Sequence, residues 1–323
     1  MLTVGVDVGG TSVRASVVDP QGAVLKTARV PTPDSVPALD AAIVEAVRGL
    51  VRDYPVTAVG LAVAGFVSAD RRVVRFAPHL AWRHVAVADR IAEQLELPVV
   101  LEHDANAAAL AEQRFGAAEG ARVAALVALG TGIGGALVLD GEVYRGAHGV
   151  APELGHLRLV PQGRPCPCGK RGCWERYCSG TALANTALEL LAAGRQARTP
   201  LAVRAAESPE SVTGHEVARA AEEGDPAALR AMEELARWLG EGLALVADVY
   251  DPQVVVLSGG VSGSAHLFLG AARQHYSTVL TGAGHRPLAE LRLAHHGDEA
   301  GMIGAAELAR DHVRSGAVPV CGR

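Results

Sequence analysis

Runs of β-branched residues alternate with helical patterns through the first part of the chain. Val-rich runs at 2–8, 13–18 and 24–30, separated by turns that contain Gly or Pro, predict three successive strands. Apolar residues then recur at helical spacing over 39–50, and the run at 59–63 is typical of a buried strand. The same rules predict, in order, a helix at 87–95, a strand at 99–101 and a helix at 105–115.

The opening pattern returns at Val123. A strand at 123–129, a Gly-rich loop at 130–135 and a strand at 136–139 repeat the architecture of the first residues, although the two sequences share little identity. The remaining predictions are helices at 182–193, 215–223, 226–250 and 300–313, a strand at 254–257, a surface excursion at 194–214 and a frayed end at 315–323. Strands that alternate with helices in this way indicate an α/β fold in two lobes.

We place the smaller lobe at 1–115 together with 300–323 and the larger lobe at 116–299. The chain of 323 residues is long enough for two domains of ordinary size. Hydrophobic residues make up 49% of it but aromatic residues only 4%, which predicts cores built from Ala, Val and Leu.

The charge balance restricts the classes of partner. A net charge of -5 argues against nucleic acid or an anionic membrane surface as the main partner. No apolar stretch approaches the length of a membrane span, and the first residues lack the pattern of a secretory signal. We therefore expect a cytoplasmic protein.

Two Gly-rich segments lie where a predicted strand ends, at Asp7–Thr11 and at Gly130–Gly135. Glycines at such a turn let backbone N–H groups approach phosphate oxygens, and a nearby aspartate can hold Mg²⁺. A single segment of this kind is more often an ordinary turn, but a pair placed alike favours a phosphate cradle. Neither is followed by Gly-Lys-Ser/Thr, so neither is a Walker loop. A third segment, Ser258–Ser262, would suit the nucleoside end.

Asp104 lies at the end of a predicted strand, with a helix beginning beside it. A carboxylate there can orient a hydroxyl group and accept its proton during phosphoryl transfer. It can equally cap the helix that starts at Ala105. The two roles are compatible.

Four potential metal ligands fall within 18 residues. Their soft and borderline donors suit tetrahedral Zn²⁺, and four protein ligands would leave no open position, which indicates a structural ion. Unrelated thiols or a disulfide are the alternatives. The proposed ligands are His156, Cys166, Cys168 and Cys173. Cys178 and Cys321 fall outside this spacing and are taken as ordinary thiols.

Glu153 and Glu175 flank the cysteine segment. Paired carboxylates can carry out acid–base hydrolysis, can accept hydrogen bonds from sugar hydroxyls, or can be surface charges. Their spacing in the sequence leaves these three alternatives open.

Together these motifs resemble the ROK family of sugar kinases and sugar-responsive repressors, and within it the bacterial glucokinase branch. The resemblance runs from Asp7–Thr11 to Asp298–Ala306. Its most specific part is Glu153-Leu154-Gly155-His156 followed by the cysteine segment that ends at Glu175.

The resemblance implies an actin-like, ribonuclease-H-like fold with a structural zinc loop, and with sugar and ATP in the cleft between the lobes. It implies ATP-dependent phosphorylation of the glucose 6-hydroxyl with Asp104 as general base. The implied sugar-binding residues are Gly65, His103, Asp104, Glu153, His156 and Glu175. The implied nucleotide-binding residues are Asp7, associated with Mg²⁺, and Gly9, Gly10, Thr11, Gly130, Thr131, Gly132, Gly134, Gly259 and Gly260.

Three positions depart from the family pattern. His103 replaces the usual Asn before the base, Ser12 replaces a frequent Lys, and Pro152 replaces a common Gly. His103 and Ser12 leave a non-catalytic sugar sensor open. Other hexoses that share the family framework (N-acetylglucosamine, N-acetylmannosamine or mannose) and a polyphosphate donor also stay open. The repressors carry a winged helix-turn-helix ahead of the first glycine strand, for which we expect no room here. The resemblance also implies a homodimer or homotetramer.

Overall fold

The computed structural model describes residues 1–194 and 199–316. The chain divides into two compact units. The first unit comprises residues 1–124, 136–152 and the described part of 294–323, and the second comprises 125–135 and 153–293. The lobe boundaries at 115/116 and 299/300 stay a prediction. The division by packing differs from them, because it also places residues 116–124, 136–152 and 294–299 in the first unit.

The strands are, in chain order, β1 (Leu2–Val8), β2 (Ser12–Val18), β3 (Val24–Pro31), β4 (Val56–Val63), β5 (Phe66–Val67), β6 (Val74–Phe76), β7 (Arg83–Val85), β8 (Val99–His103), β9 (Val123–Leu129), β10 (Ile133–Leu139), β11 (Glu142–Val143), β12 (Val254–Ser258) and β13 (Glu290–Leu293). The helices are α1 (Val36–Val51), α2 (Val87–Leu95), α3 (Asp104–Phe115), α4 (Gly180–Ala193), α5 (Pro200–Glu207), α6 (Gly214–Glu222), α7 (Pro226–Tyr250), α8 (Leu269–Val279) and α9 (Ala300–Arg314).

The first unit contains a five-stranded sheet in the order β3-β2-β1-β4-β8. β1 is antiparallel to β2 and parallel to β4, and β4 is parallel to β8. The register pairs Asp7 with Ala62 and Val63 with His103. Parallel neighbours end at the same edge of a sheet, so Asp7 and Asp104 lie at one edge of this one.

Helix α9 packs directly on that sheet because two strand positions lack side chains. A Cβ atom built on Gly5 would lie 1.7 Å from the Met302 carbonyl oxygen. One built on Gly60 would lie 1.9 Å from that of Ala305. The backbone of α9 thus occupies the space that a methyl group would need, and it holds the β1 and β4 register beneath it.

We expect Gly60→Ala to lower the free energy of unfolding by about 1–3 kcal/mol or more, because the methyl group meets rigid backbone. Gly49→Ala in α1 is a matched control, since nothing lies within 4 Å of its added Cβ. That variant should gain about 0.5–1 kcal/mol from its higher helix propensity. Urea unfolding of both variants tests the pair, and equal shifts would contradict this account of α9 packing.

The second sheet has the order β11-β10-β9-β12-β13, with β12 parallel to β13. Like the first sheet, it opens with a strand, a glycine loop and a returning strand, here β9, Gly130–Gly132 and β10. The predicted duplication of architecture and the α/β class are therefore confirmed. The stretch predicted as a surface excursion at 194–214 instead contains α5, whose Leu201 is buried. Of the end predicted to fray, residues 317–323 lie outside the described part of the chain.

Among the described residues, no helix combines the length and apolar character needed to cross a bilayer.

Candidate functional site

Asp104 is the first residue of α3, directly after β8. Its Oδ1 accepts a hydrogen bond from the Ala105 N–H at 2.7 Å and lies 3.1 Å from His103 Nε2. The residue that caps α3 is His103, so Asp104 belongs to the first turn of the helix rather than to the N-cap. Its side chain is 42% exposed. The carboxylate is therefore held by its own helix and stays accessible to a ligand.

Asp7 lies near the end of β1 and pairs with the guanidinium group of Arg14 at 2.5 Å. Burial raises the pKa of the Asp7 carboxyl group, and the hydrogen bond from Arg14 opposes that shift. The negative charges of Asp104 and Asp298 raise this pKa as well. Two further carboxylates of the first unit therefore act on the Asp7 carboxyl group.

The turn from Gly9 to Thr11 connects β1 with β2, as predicted. The Gly9 N–H donates to the Ser12 carbonyl at 3.1 Å, and the Thr32 hydroxyl donates to the Gly9 carbonyl at 2.6 Å. The turn is therefore fixed by the chain itself. Gly65 lies just beyond β4, where an added Cβ would come within 2.6 Å of the Phe76 carbonyl oxygen.

The glycine loop of the second unit meets two other glycine segments. The Gly180 N–H donates to the Gly130 carbonyl at 2.8 Å. Gly259, with φ of +82°, approaches so closely that a Cβ on it would lie 2.6 Å from the Leu129 carbonyl oxygen. Gly130–Gly134 and Gly259–Gly260, both predicted, are thus brought together beside the start of α4.

A cavity of about 820 Å³ opens next to these segments, entirely within the second unit. Its apolar lining residues include Leu183, Ala184, Leu188, Val212, Ala218 and Met232. Polar residues also line it, among them Thr131, Asn185, Glu210, Thr213 and His215. A cavity beside a glycine loop that is lined by both apolar and polar residues is suited to a nucleoside.

Sequence reasoning did not identify α4 and α6 as walls of this cavity. Both helices begin there, after Ser179 and Thr213, whose hydroxyl groups accept hydrogen bonds from Ala182 and Glu216 N–H groups. The Ser-Gly-Thr and Thr-Gly-His sequences at these starts are local signals of helix N-termini, which favour anionic groups. They could have marked the starts of the helices, but not their convergence.

The predicted metal ligands form one cluster. One donor atom from each of the four residues lies within 4.8 Å of all the others. The Cys168 and Cys173 sulfurs are 3.6 Å apart, and the Cys166 sulfur is 3.7 Å from His156 Nδ1. Zn–S bonds of about 2.3 Å in a tetrahedron place sulfurs about 3.8 Å apart, so the residues fit zinc. The cysteines are unbridged, which contradicts the disulfide alternative, and Cys178 lies buried outside the cluster. Cys321 is outside the described residues.

The hairpin that carries the cluster is attached to α7 by aromatic contacts. Trp174 is buried, its Nε1–H donates to the Trp238 carbonyl at 2.8 Å, and its ring covers Gly242, where a Cβ would lie 1.9 Å away. The rings of Tyr177 and Trp238 lie 4.7 Å apart. Glu175 therefore sits between an aromatic anchor and the metal cluster.

Glu175 connects the metal cluster with the glycine loop. Its Oε1 lies 3.1 Å from the Cys166 sulfur. Its Oε2 would be 2.4 Å from a Cβ built on Gly132. Glu153, in contrast, is exposed and precedes the turn that contains His156. The two glutamates thus differ in setting, although both flank the cysteine segment in the sequence.

We expect Gly132→Ala to displace the Glu175 carboxylate and to accelerate zinc release about 10-fold or more, as changes next to metal ligands do. Gly130→Ala is the matched control, because nothing lies within 4 Å of its added Cβ. A chromogenic chelator measures both rates. Equal zinc release from the two variants would show that Glu175 and Gly132 are not coupled.

The structure contains two mixed β-sheets, and each begins with a strand, a glycine loop and a returning strand. This arrangement defines the two-sheet actin-like class, to which sugar kinases belong. The chain belongs to the ROK family, whose model matches residues 3–312.

Individual relatives match over nearly the whole chain. The chain is 41% identical to a glucokinase of Streptomyces coelicolor over 310 residues, which cover 96% of this chain and 98% of that protein. It is 42% identical, with a TM-score of 0.84, to a ROK family glucokinase from Streptomyces griseus crystallised in complex with glucose and AMPPNP; the match covers 96% of this chain and all of that one. A ROK hexokinase from Thermus thermophilus is 36% identical, with a TM-score of 0.81, and covers 98% of this chain and 100% of its own.

Proposed function

We propose that the protein is a glucokinase, which transfers the terminal phosphoryl group of ATP to the 6-hydroxyl group of glucose. The observation that carries this proposal is the 42% identity, over 96% of the chain, to an enzyme crystallised with glucose and AMPPNP. The accessible carboxylate of Asp104 supports it, because a general base at this position can accept the proton of the 6-hydroxyl group as the oxygen attacks phosphorus.

We propose ATP rather than polyphosphate as the donor. The cavity beside Gly130 and Gly260 is lined in part by apolar residues. A nucleoside can pack against such residues, whereas a chain of phosphates cannot. The N–H groups of Gly9–Thr11 and Gly130–Gly134 would then face the phosphates. In this scheme Gly259 and Gly260 border the adenosine.

Magnesium would accompany the nucleotide and would supply positive charge against the negative charge of the phosphates. The residue that fits it is Asp7, because carboxylate oxygens are the donors that Mg²⁺ prefers. Burial raises the pKa of this carboxyl group, and the ion pair with Arg14 opposes that rise.

The hexose would be held by Gly65, His103, Glu153, His156 and Glu175. His156 turns Nδ1 toward the Cys166 sulfur, which leaves Nε2 for a sugar hydroxyl group. Zinc in this cluster would be structural, since His156 and the three cysteines already supply four ligands.

Cytoplasmic location and a homodimeric or homotetrameric state, both expected from the sequence and the family, are also kept as proposals.

An ADP-release assay with Mg-ATP over a panel of hexoses tests the proposed function. We expect glucose to give the highest kcat/KM, ahead of mannose, N-acetylglucosamine and N-acetylmannosamine. Preference for another hexose would identify that sugar as the substrate and would connect the change with His103, which replaces the usual Asn. Tight glucose binding without any turnover would contradict the proposed kinase activity and would indicate a sugar sensor instead.

A further inference from the structure

We infer that the ion pair between the buried carboxylate of Glu102 and the partly exposed guanidinium group of Arg145 positions the general base Asp104. The inference rests on the proposed function, because it assigns a role relative to that base. Neither residue was identified from the sequence.

Glu102 holds the residues on both sides of Asp104. It is the residue before last of β8 and is buried, at 3% exposure. Its Oε1 accepts hydrogen bonds from the His103 N–H at 3.0 Å and from Asn106 Nδ2 at 2.9 Å. One carboxylate oxygen thus fixes the backbone before Asp104 and a side chain in the first turn of α3. Asp104 has little freedom to turn between these two contacts.

Arg145 in turn holds Glu102. Its Nε and Nη2 lie 2.7 and 2.6 Å from Glu102 Oε2, the oxygen that is not engaged by α3. Its Nη1 donates to the Val143 carbonyl at 3.1 Å, and its own carbonyl accepts from the Ala151 N–H at 3.1 Å. The guanidinium group is therefore fixed by the segment that leads from β11 to Pro152.

The charges of this pair indicate that it fixes one arrangement of the residues around Asp104 rather than adding stability. A buried ion pair adds little stability over an apolar pair of the same shape, but it specifies one arrangement, because any other leaves a buried charge unpaired. Burial lowers the pKa of the Arg71 guanidinium group, the charge of Arg145 lowers it further, and the charge of Glu102 opposes both. The Glu102 carboxylate is therefore the group that connects Arg145 with the start of α3.

Four variants test this role: Arg145→Met, Arg145→Lys, Glu102→Gln and the double variant Glu102→Gln/Arg145→Met. We expect Arg145→Met to lower kcat about 10²-fold, as a misplaced catalytic group does, while the Kd for glucose stays within about twofold of wild type. Arg145→Lys should recover part of kcat, since an ammonium group can also pair with Glu102 but cannot reproduce the three contacts of the guanidinium group. The double variant should exceed Arg145→Met in kcat, because the introduced amide is neutral and its oxygen can still accept from α3.

Arg122→Met is the matched control. Arg122 pairs with Asp140 at 2.8 Å but is 78% exposed, so its loss should leave kcat unchanged. Circular dichroism at the assay temperature establishes which variants are folded. If Arg145→Met does not fold, Glu102→Gln decides the question by the same comparison of kcat with the glucose Kd.

The inference is wrong if folded Arg145→Met and Glu102→Gln keep the kcat of wild type. It is also wrong if kcat falls only in proportion to glucose binding. Asp104→Asn, assayed in parallel, separates this failure from failure of the proposed function. If Asp104→Asn is active, Asp104 is not the general base and the proposed mechanism is wrong. If Asp104→Asn is inactive while the ion-pair variants are fully active, only the positioning role of Glu102 and Arg145 is wrong.

Discussion

Asp104→Asn should lower kcat for glucose phosphorylation by about 10²–10⁴-fold, the range typical of a lost general base. An amide cannot accept the proton that leaves the 6-hydroxyl group during attack. Its carbonyl oxygen can still accept the Ala105 N–H, so α3 keeps its start. We therefore expect a folded protein with nearly unchanged affinity for glucose.

Steady-state kinetics with ATP and glucose, combined with calorimetric glucose binding, measure both quantities. Asp89→Asn is the matched control, because Asp89 pairs with Arg72 at the surface of the same unit and takes no part in the proposed chemistry. It should retain full activity. An Asp104→Asn protein with more than a small fraction of wild-type kcat would require another base.

The second large effect is expected from the metal cluster. Cys173→Ser should abolish stoichiometric zinc binding and raise the Kd for glucose about 10²-fold. The buried Cys173 sulfur is one of four ligands, and the segment between Cys166 and Cys173 has little apolar core of its own. Without the metal, His156 and Glu175 lose their positions. Two lost hydrogen bonds to sugar hydroxyls, at about 1.5 kcal/mol each, correspond to that change in Kd.

Metal analysis of the purified protein and calorimetric glucose titration test this expectation. Cys178→Ala is the matched control, since Cys178 is equally buried but lies outside the cluster. It should retain about one zinc ion per chain and bind glucose as the wild type does. A zinc-free Cys173→Ser protein with unchanged glucose affinity would show that the aromatic anchor on α7 alone positions the hairpin.

Local patterns predicted much of the fold and part of the candidate site. The two strand–loop–strand segments, the helix after Asp104 and the cluster from His156 to Cys173 each depend on residues close together in the chain. Strand propensity, glycine turns and ligand spacing are readable over such distances. Helix α5 was missed for a local reason: Pro200 was taken as loop punctuation, whereas after Thr199 it starts a helix.

Features that join distant segments could not be predicted. The contact of Gly60 with Ala305 spans most of the chain, and the pair of Glu102 with Arg145 joins a strand to a later loop. In the same way, Gly180 and Gly214 meet only because α4 and α6 pack together. A glycine in a strand or an arginine in a loop carries no sign of its partner.

The first unit is completed by the last described helix. Arg310 on α9 donates hydrogen bonds to the carbonyls of Met1, Val18 and Asp19, and α9 covers β1 and β4. During translation, the first unit can therefore become complete only after α9 has been synthesised. The second unit contains no residue beyond 293, so its sequence is complete earlier. We expect maturation to run against the order of translation, with the amino-terminal sheet uncovered until α9 emerges.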